Sequence, residues 1–154
     1  MPKIDLDAIP QQNSTGYPAP FHEPMAGRFF RRLAPATGLS EMGVSHVVLK
    51  PGGWSSQRHW HEGEDEFLVM LSGEAVLIED EGETVLRAGD MVAWPKAVRN
   101  GHHLVNRGES DCAFLAFSAG DRMSGGAYSD IDMIFTKEGY LRRDGTPYPA
   151  RRIP

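Results

Sequence analysis

The chain has 154 residues, 40% of them hydrophobic, and a formal net charge of −5 at neutral pH. That length suits a single domain spanning 1–154 that buries about two-thirds of its unfolded surface. The acidic balance excludes nucleic acid and an anionic membrane surface as main partners, because both select clustered positive charge, and the short basic pieces Arg28–Leu33 and Arg151–Arg152 do not reverse it.

No apolar run approaches the roughly 18 residues of a membrane span, and MPKIDLDAIP at the start has no apolar core of a leader. The single Cys112 permits no internal disulfide. A cytoplasmic protein is therefore expected, with Cys112 as a small buried apolar residue. Residues 1–27 hold Pro2, Pro10, Pro18, Pro20 and Pro24 and predict an irregular N-terminal arm. GRFFRRLAP predicts a first strand, and VSHVVLK, from Val44 to Lys50, a stronger one ended by Pro51-Gly52-Gly53. Further strands follow at EFLVML, EAVLIE, TVLRA, MVAWP, HHLVN and CAFLAFS, separated by turn residues at Ser72-Gly73, Asp80–Glu83, Gly89-Asp90 and Arg107–Glu109. Short strands at this spacing, without a helical period, predict an all-β antiparallel sandwich or barrel with its core at about 44–120. The C-terminal tail, 121–154, is expected to lie over the barrel, with one short helical turn near Ser129–Phe135.

The stretch PGGWSSQRHWHEGEDEFLVMLSG, Pro51 to Gly73, carries the chemistry. In an extended segment His59 and His61 project from one face with Trp60 on the other. EGED then turns the chain, and Glu66 opens the returning strand. Two imidazoles and a carboxylate suit one divalent transition metal, Zn, Fe, Mn or Ni, without deciding among them. Downstream, His102 is the expected fourth ligand. Strand alternation sends its neighbour His103 to the opposite face, so one of the two is expected at the metal.

These residues resemble the two sequence motifs of the cupin superfamily, and the chain is similar to its small single-domain bacterial members. Gly53, His59, His61, Glu66 and Gly73 fall at every spacing of the first motif. Gly89, Pro95, His102 and Asn106 follow the second, except that Ala97 stands at a glycine position and the histidine arrives two residues late. The longer loop leaves His102 and His103 both open, with Asn106 favouring His102. The resemblance implies a cupin-type double-stranded β-helix, or jelly-roll barrel, with a metal near its centre held by three histidines and one glutamate. It also implies a homodimer formed through terminal strands or arms.

The fold hosts many activities, so the site must decide. Alternation from the ligands gives Gln57, Met70 and Asn106 as candidate substrate-binding residues, and His46, in the pattern Val44, His46, Val48, as a further inward-facing group. The expected partner is a small molecule. Oxalate decarboxylase-type cupins, which the His-Trp-His core resembles, carry an arginine three residues before the first histidine; Ser56 stands there in this chain. YSDIDM and RRDGTPYP in the tail look more like the small bacterial cupins grouped with sugar-phosphate isomerases. The expectation is thus a metal-dependent, isomerase-like enzyme. The alternatives are an Fe(II)-dependent dioxygenase and a non-catalytic binder of a carbohydrate or metabolite.

Overall fold

Val-, Leu- and Phe-rich runs separated by glycine turns pair as antiparallel strands in the computed structural model, which describes residues 3–151. One layer is a five-stranded sheet in the order β1 (Arg28–Arg32), β2 (Gly43–Leu49), β9 (Cys112–Gly120), β4 (Glu64–Ser72) and β7 (Met91–Trp94). The facing layer has two pieces. One is β6 (Gly82–Arg87), β5 (Glu74–Glu79) and β8 (His103–Val105). The other is β12 (Gly139–Leu141), β11 (Ile134–Thr136), β10 (Gly126–Tyr128) and β3 (His59–His61). Isolated bridges from His59 to His102 and from Trp54 to Val105 join the two pieces, which places two histidines side by side in sequence-distant segments.

The core between the layers takes Leu49, Leu68, Met70 and Phe114 from the first sheet and Ala75, Leu77, Leu86 and Leu104 from the second. Each large side chain buried there contributes about 1.5–3 kcal/mol relative to exposure. The alternation that sends Leu68 and Met70 into this core leaves Phe67 and Leu71 exposed. This is the antiparallel sandwich expected from the strand spacing, in the jelly-roll form that the resemblance implies. Cys112 is fully buried beside Leu49, and burial pushes its thiol up to about 11. Gly73 turns between β4 and β5 at φ +70°, where an added Cβ would come 2.5 Å from the Asp111 carbonyl oxygen, so a glycine is required.

Three segments differ from expectation. The first strand stops at Arg32, because Leu33–Thr37 (LAPAT) turns into a short helix, α1, closed by Gly38 in the left-handed region. The helical turn expected near Ser129–Phe135 is a bend followed by β11, since Phe135 enters a hydrogen-bonded ladder with Tyr140. The EGED turn is shorter than expected, and β4 already begins at Glu64.

Arm and tail meet each other. Gln12 pairs with Phe30 on the free edge of β1, and Asn13 Nδ2 donates to the carbonyls of Ala26 and Arg28. Tyr17 then packs edge-on against Tyr128 at 5.6 Å, within a second cluster that includes Met25 and Met133. Among the described residues no helix is long and apolar enough to cross a membrane.

Candidate metal centre

β3 and β4 place three predicted ligands within reach of one another. On β3, His59 and His61 share a face, and their Nε2 atoms lie 3.2 Å apart. On β4, Glu64 and Glu66 share the inner face with Leu68 and Met70. Glu66 Oε1 lies 3.4 Å from His61 Nε2 and 3.9 Å from His59 Nε2. Candidate ligand atoms of His59, His61 and Glu66 all fall within 4.8 Å of one another. His102 joins them, with Nε2 2.7 Å from Glu66 Oε2.

The structure separates the two candidate fourth histidines. His102 lies inward, and its ring stacks on Trp94. His103 turns away to the carbonyl oxygen of Ser56, 2.9 Å from Nδ1, with its ring edge-on to Trp54. The longer loop therefore does not alter which histidine reaches the cluster. It is accommodated at Ala97, whose φ of +64° is the left-handed conformation that glycine adopts most easily, and whose N–H donates to the His61 carbonyl at 2.8 Å.

The surroundings fix the ring orientations. His59 Nδ1 is 2.9 Å from the Gln57 carbonyl oxygen, and His102 Nδ1 is 3.2 Å from that of Asn100. A carbonyl can only accept, so Nδ1 of each ring carries a proton and Nε2 faces the centre. His61 Nδ1 has no aligned hydrogen bond but lies 3.1 Å from Glu64 Oε2. His59 Nε2 and His61 Nε2, 3.2 Å apart, need a proton or a metal ion between them. The donor set, nitrogen with carboxylate oxygen, suits a divalent transition metal, so the residues fit such an ion.

The electrostatics point the same way. Burial pushes His59 down to about 4, against the opposing pull of Glu66. Burial also acts on His61, but the carboxylates of Glu64 and Glu66 outweigh it and raise this ring to about 9. Burial would raise Glu66, yet its contacts with His102 and His61 hold it well below the usual carboxylate range. The centre is a largely buried pocket with two carboxylates, which attracts positive charge.

A cavity of about 470 Å³ opens from this cluster, bounded by His59, Glu64, Glu66, Trp94 and His102 at one end and by β1, β2 and β9 at the other. The four candidate substrate-binding residues are not on its walls, and this corrects the expectation. Gln57 is buried, its Nε2 donating to the Phe21 carbonyl. Regular alternation does not extend back to it, because β3 is only three residues long. Met70 faces inward but lies deeper, in the apolar core. Asn106 is fully buried, its Nδ2 donating to the carbonyls of Leu49 and Ser110 and its Oδ1 accepting from the Gly108 N–H. His46 sits on the face of β2 opposite to Ser45, Val47 and Leu49; Ser45 and Val47 line the cavity.

Sequence reading missed Glu64, Trp94 and Ser56 as parts of the site. Glu64 could have been found by carrying the alternation of β4 back two residues from Glu66. Ser56 Oγ lies 3.2 Å from His59 Nδ1, so the residue that replaces an oxalate-type arginine instead steadies a histidine. Trp60 faces away, as expected, against the Arg99 guanidinium.

The Cupin domain family model matches residues 45–118. A crystal structure described as a sugar phosphate isomerase of the cupin superfamily from Silicibacter pomeroyi is 39% identical, with a TM-score of 0.90, covering 96% of this chain and 97% of that one. A structure from Acidithiobacillus ferrooxidans, provisionally described as a sugar phosphate isomerase, is 23% identical with a TM-score of 0.70, covering 83% and 84% of the two chains. A Cupin 2 conserved barrel domain protein from Salinispora arenicola is 27% identical with a TM-score of 0.53, covering 62% and 76%. No curated protein matches the sequence.

Proposed function

Because this chain belongs to the cupin superfamily, we propose that it is a metal-dependent isomerase acting on a small polar metabolite of the sugar-phosphate class. The observation that carries this reading is the convergence of His59, His61, Glu66 and His102 at the end of a cavity that also exposes a further carboxylate, Glu64. The 39% identity to a structure described as a sugar phosphate isomerase supports it.

His59, His61, Glu66 and His102 would hold one divalent transition metal, which would supply Lewis-acid polarisation of a carbonyl or hydroxyl pair of the substrate. The remaining chemistry is the chain's own. An aldose–ketose interconversion removes a proton from one carbon and returns it to its neighbour, and this needs a base on the cavity wall. Glu64 faces the cavity on the same side of β4 as Glu66, with Arg122 Nε 3.6 Å from its Oε1, and holds that proton. Trp94, Leu68 and Phe114 form apolar walls that exclude water from the reacting carbons. Ser56 and Asn100 keep the His59 and His102 rings from turning.

The test is turnover of a panel of aldose and ketose phosphates by metal-replete protein, with isomer interconversion read by proton NMR. The reading requires interconversion of at least one pair, lost in Glu64→Gln with metal content unchanged. No turnover of any member, or oxygen consumption in its place, removes the isomerase assignment. The reading includes a homodimer, which light scattering checks; a monomeric mass removes that part alone.

A further inference from the structure

The far end of the cavity is basic, and nothing in the metal cluster uses it. Arg28, Phe30 and Arg32 occupy alternate positions of β1, so they share its inner face, and all three line the cavity. Both guanidinium groups flank the Phe30 ring, at 5.4 and 5.6 Å from its centroid. Arg28 is anchored, with its two Nη atoms donating to the carbonyls of Ser55 and Ser14 at 2.9 and 3.2 Å. Its Nε is buried without a hydrogen-bond partner. The Arg32 guanidinium makes no hydrogen bond or ion pair among the described residues, unlike Arg31, which meets Asp7, and Arg122, which meets Glu64.

The register places these groups relative to the cluster. Glu66 on β4 pairs with Ser118 on β9, which pairs with Gly43 on β2. Ser45, two residues on from Gly43, is paired on its other side with Arg32. The cavity thus crosses four neighbouring strands, about 14 Å at the usual inter-strand spacing. The Arg32 guanidinium lies over Phe30 at the β1 end of that span, and a short polyhydroxylated chain is long enough to cover the remainder. One end of the cavity is acidic and rich in imidazole, the other holds two arginines and the Ser45 hydroxyl. Such a division fits a molecule with a hydroxyl or carbonyl pair at one end and an oxyanion at the other.

We infer that Arg28 and Arg32, with Ser45, form an anion subsite that takes the phosphate of a substrate whose other end reaches the His59, His61, Glu66 and His102 cluster. This deepens the reading above and rests on it for the shared substrate, but the subsite is measurable alone. A planar guanidinium donates two parallel hydrogen bonds to a phosphate, and the apolar ring between the two arginines lowers the local dielectric around them.

The experiment uses inorganic phosphate as probe, titrated calorimetrically into metal-replete wild type, Arg32→Gln and Ser45→Ala, and into His61→Ala, with metal content measured on each. Arg32→Gln should weaken phosphate about tenfold, the cost of losing hydrogen bonds to a charged group, while keeping its metal. Ser45→Ala, at the paired position, should weaken it less, and Arg32→Lys should restore part of the loss. His61→Ala should lose metal yet keep phosphate affinity within about twofold, because distant sites act additively. Phosphate bound equally by Arg32→Gln and wild type overturns the subsite, as does no binding to wild type or loss of binding in His61→Ala, which would place the ion on the metal.

The isomerase reading and the subsite fail separately. Turnover of sugar phosphates with KM unchanged in Arg32→Gln sinks the subsite and leaves the reaction. Loss of phosphate binding in Arg32→Gln of a protein that turns over no sugar phosphate keeps the subsite and removes the reaction.

Discussion

The indole of Trp94 lies flat on the imidazole of His102, with centroids 3.8 Å apart and 4° between the planes. Trp94 Nε1 in turn donates to Glu79 Oε1 at 2.8 Å, and the same oxygen accepts from Asn100 Nδ2 at 3.0 Å. Since the Asn100 carbonyl meets His102 Nδ1, one carboxylate outside the cluster orders both the face and the edge of that ring.

Removing the stack should therefore weaken the metal site without touching a ligand. Trp94→Leu is expected to lower metal affinity about 10-fold, the low end of the cost of losing a group that orients a ligand. Trp94→Phe, which keeps an aromatic face, should lose less. Competition against a metal-sensitive dye measures both, and wild-type affinity in Trp94→Leu would show that the stack is packing alone.

Asn106 should matter to stability and not to substrate. Its side chain satisfies the buried Leu49 carbonyl, the Ser110 carbonyl and the Gly108 N–H, so Asn106→Ala leaves at least the Leu49 carbonyl unpaired and should cost about 1–3 kcal/mol. Urea unfolding reads the loss. A variant as stable as wild type, or one with raised KM and unchanged stability, would return Asn106 to the role its position in the sequence suggested.

The metal cluster was legible in the sequence because it depends on spacing. His59 and His61 are fixed two apart on a strand, Glu66 follows across one turn, and His102 is delivered by a ladder beside them. The substrate wall was not legible, because it depends on which face of each strand turns inward and on where each strand stops. VSHVVL carries valines on both parities, so the pattern alone cannot choose between His46 and Ser45 for the inner face; the pairing with β1 and β9 does. Alternation carried back from His59 reaches Gln57 only on paper, since the chain before His59 is not a strand. Arginines in RFFRR read as surface charge in one dimension and as a cavity wall only once β1 is paired beside β2 at the edge of the sheet.

Ala97 sits at φ +64°, a conformation that costs an L-residue about 1–2 kcal/mol. Glycine would relieve that strain while adding about 0.4–1 kcal/mol of unfolded-chain freedom. Ala97→Gly should therefore raise stability by up to about 1 kcal/mol, seen as a higher urea midpoint at unchanged slope. A lower midpoint would mean that the loop tolerates the alanine without strain.

Arg58 ties β3's approach to the tail, with Nη2 donating to Asp130 Oδ1 at 2.7 Å and Nη1 paired with Asp80. The Arg58 hydrogen bond holds the Asp130 carboxyl below its ordinary value of 3.8. A carboxylate with a depressed folded pKa adds stability above its unfolded value and loses it as pH falls through the folded one. Wild type should exceed Asp130→Asn in stability near pH 6, by no more than about 1 kcal/mol because the pair is solvent-screened, and the gap should close as pH falls below 3.8. High salt should shrink it as well. A gap that persists at low pH would assign the effect to packing.

Metal content by mass spectrometry on purified wild type, His61→Ala and His103→Ala tests the central claim most directly. The geometry predicts about one equivalent of a divalent transition metal in wild type, none in His61→Ala, and nearly the wild-type amount in His103→Ala. Metal retained in full by His61→Ala would contradict the site.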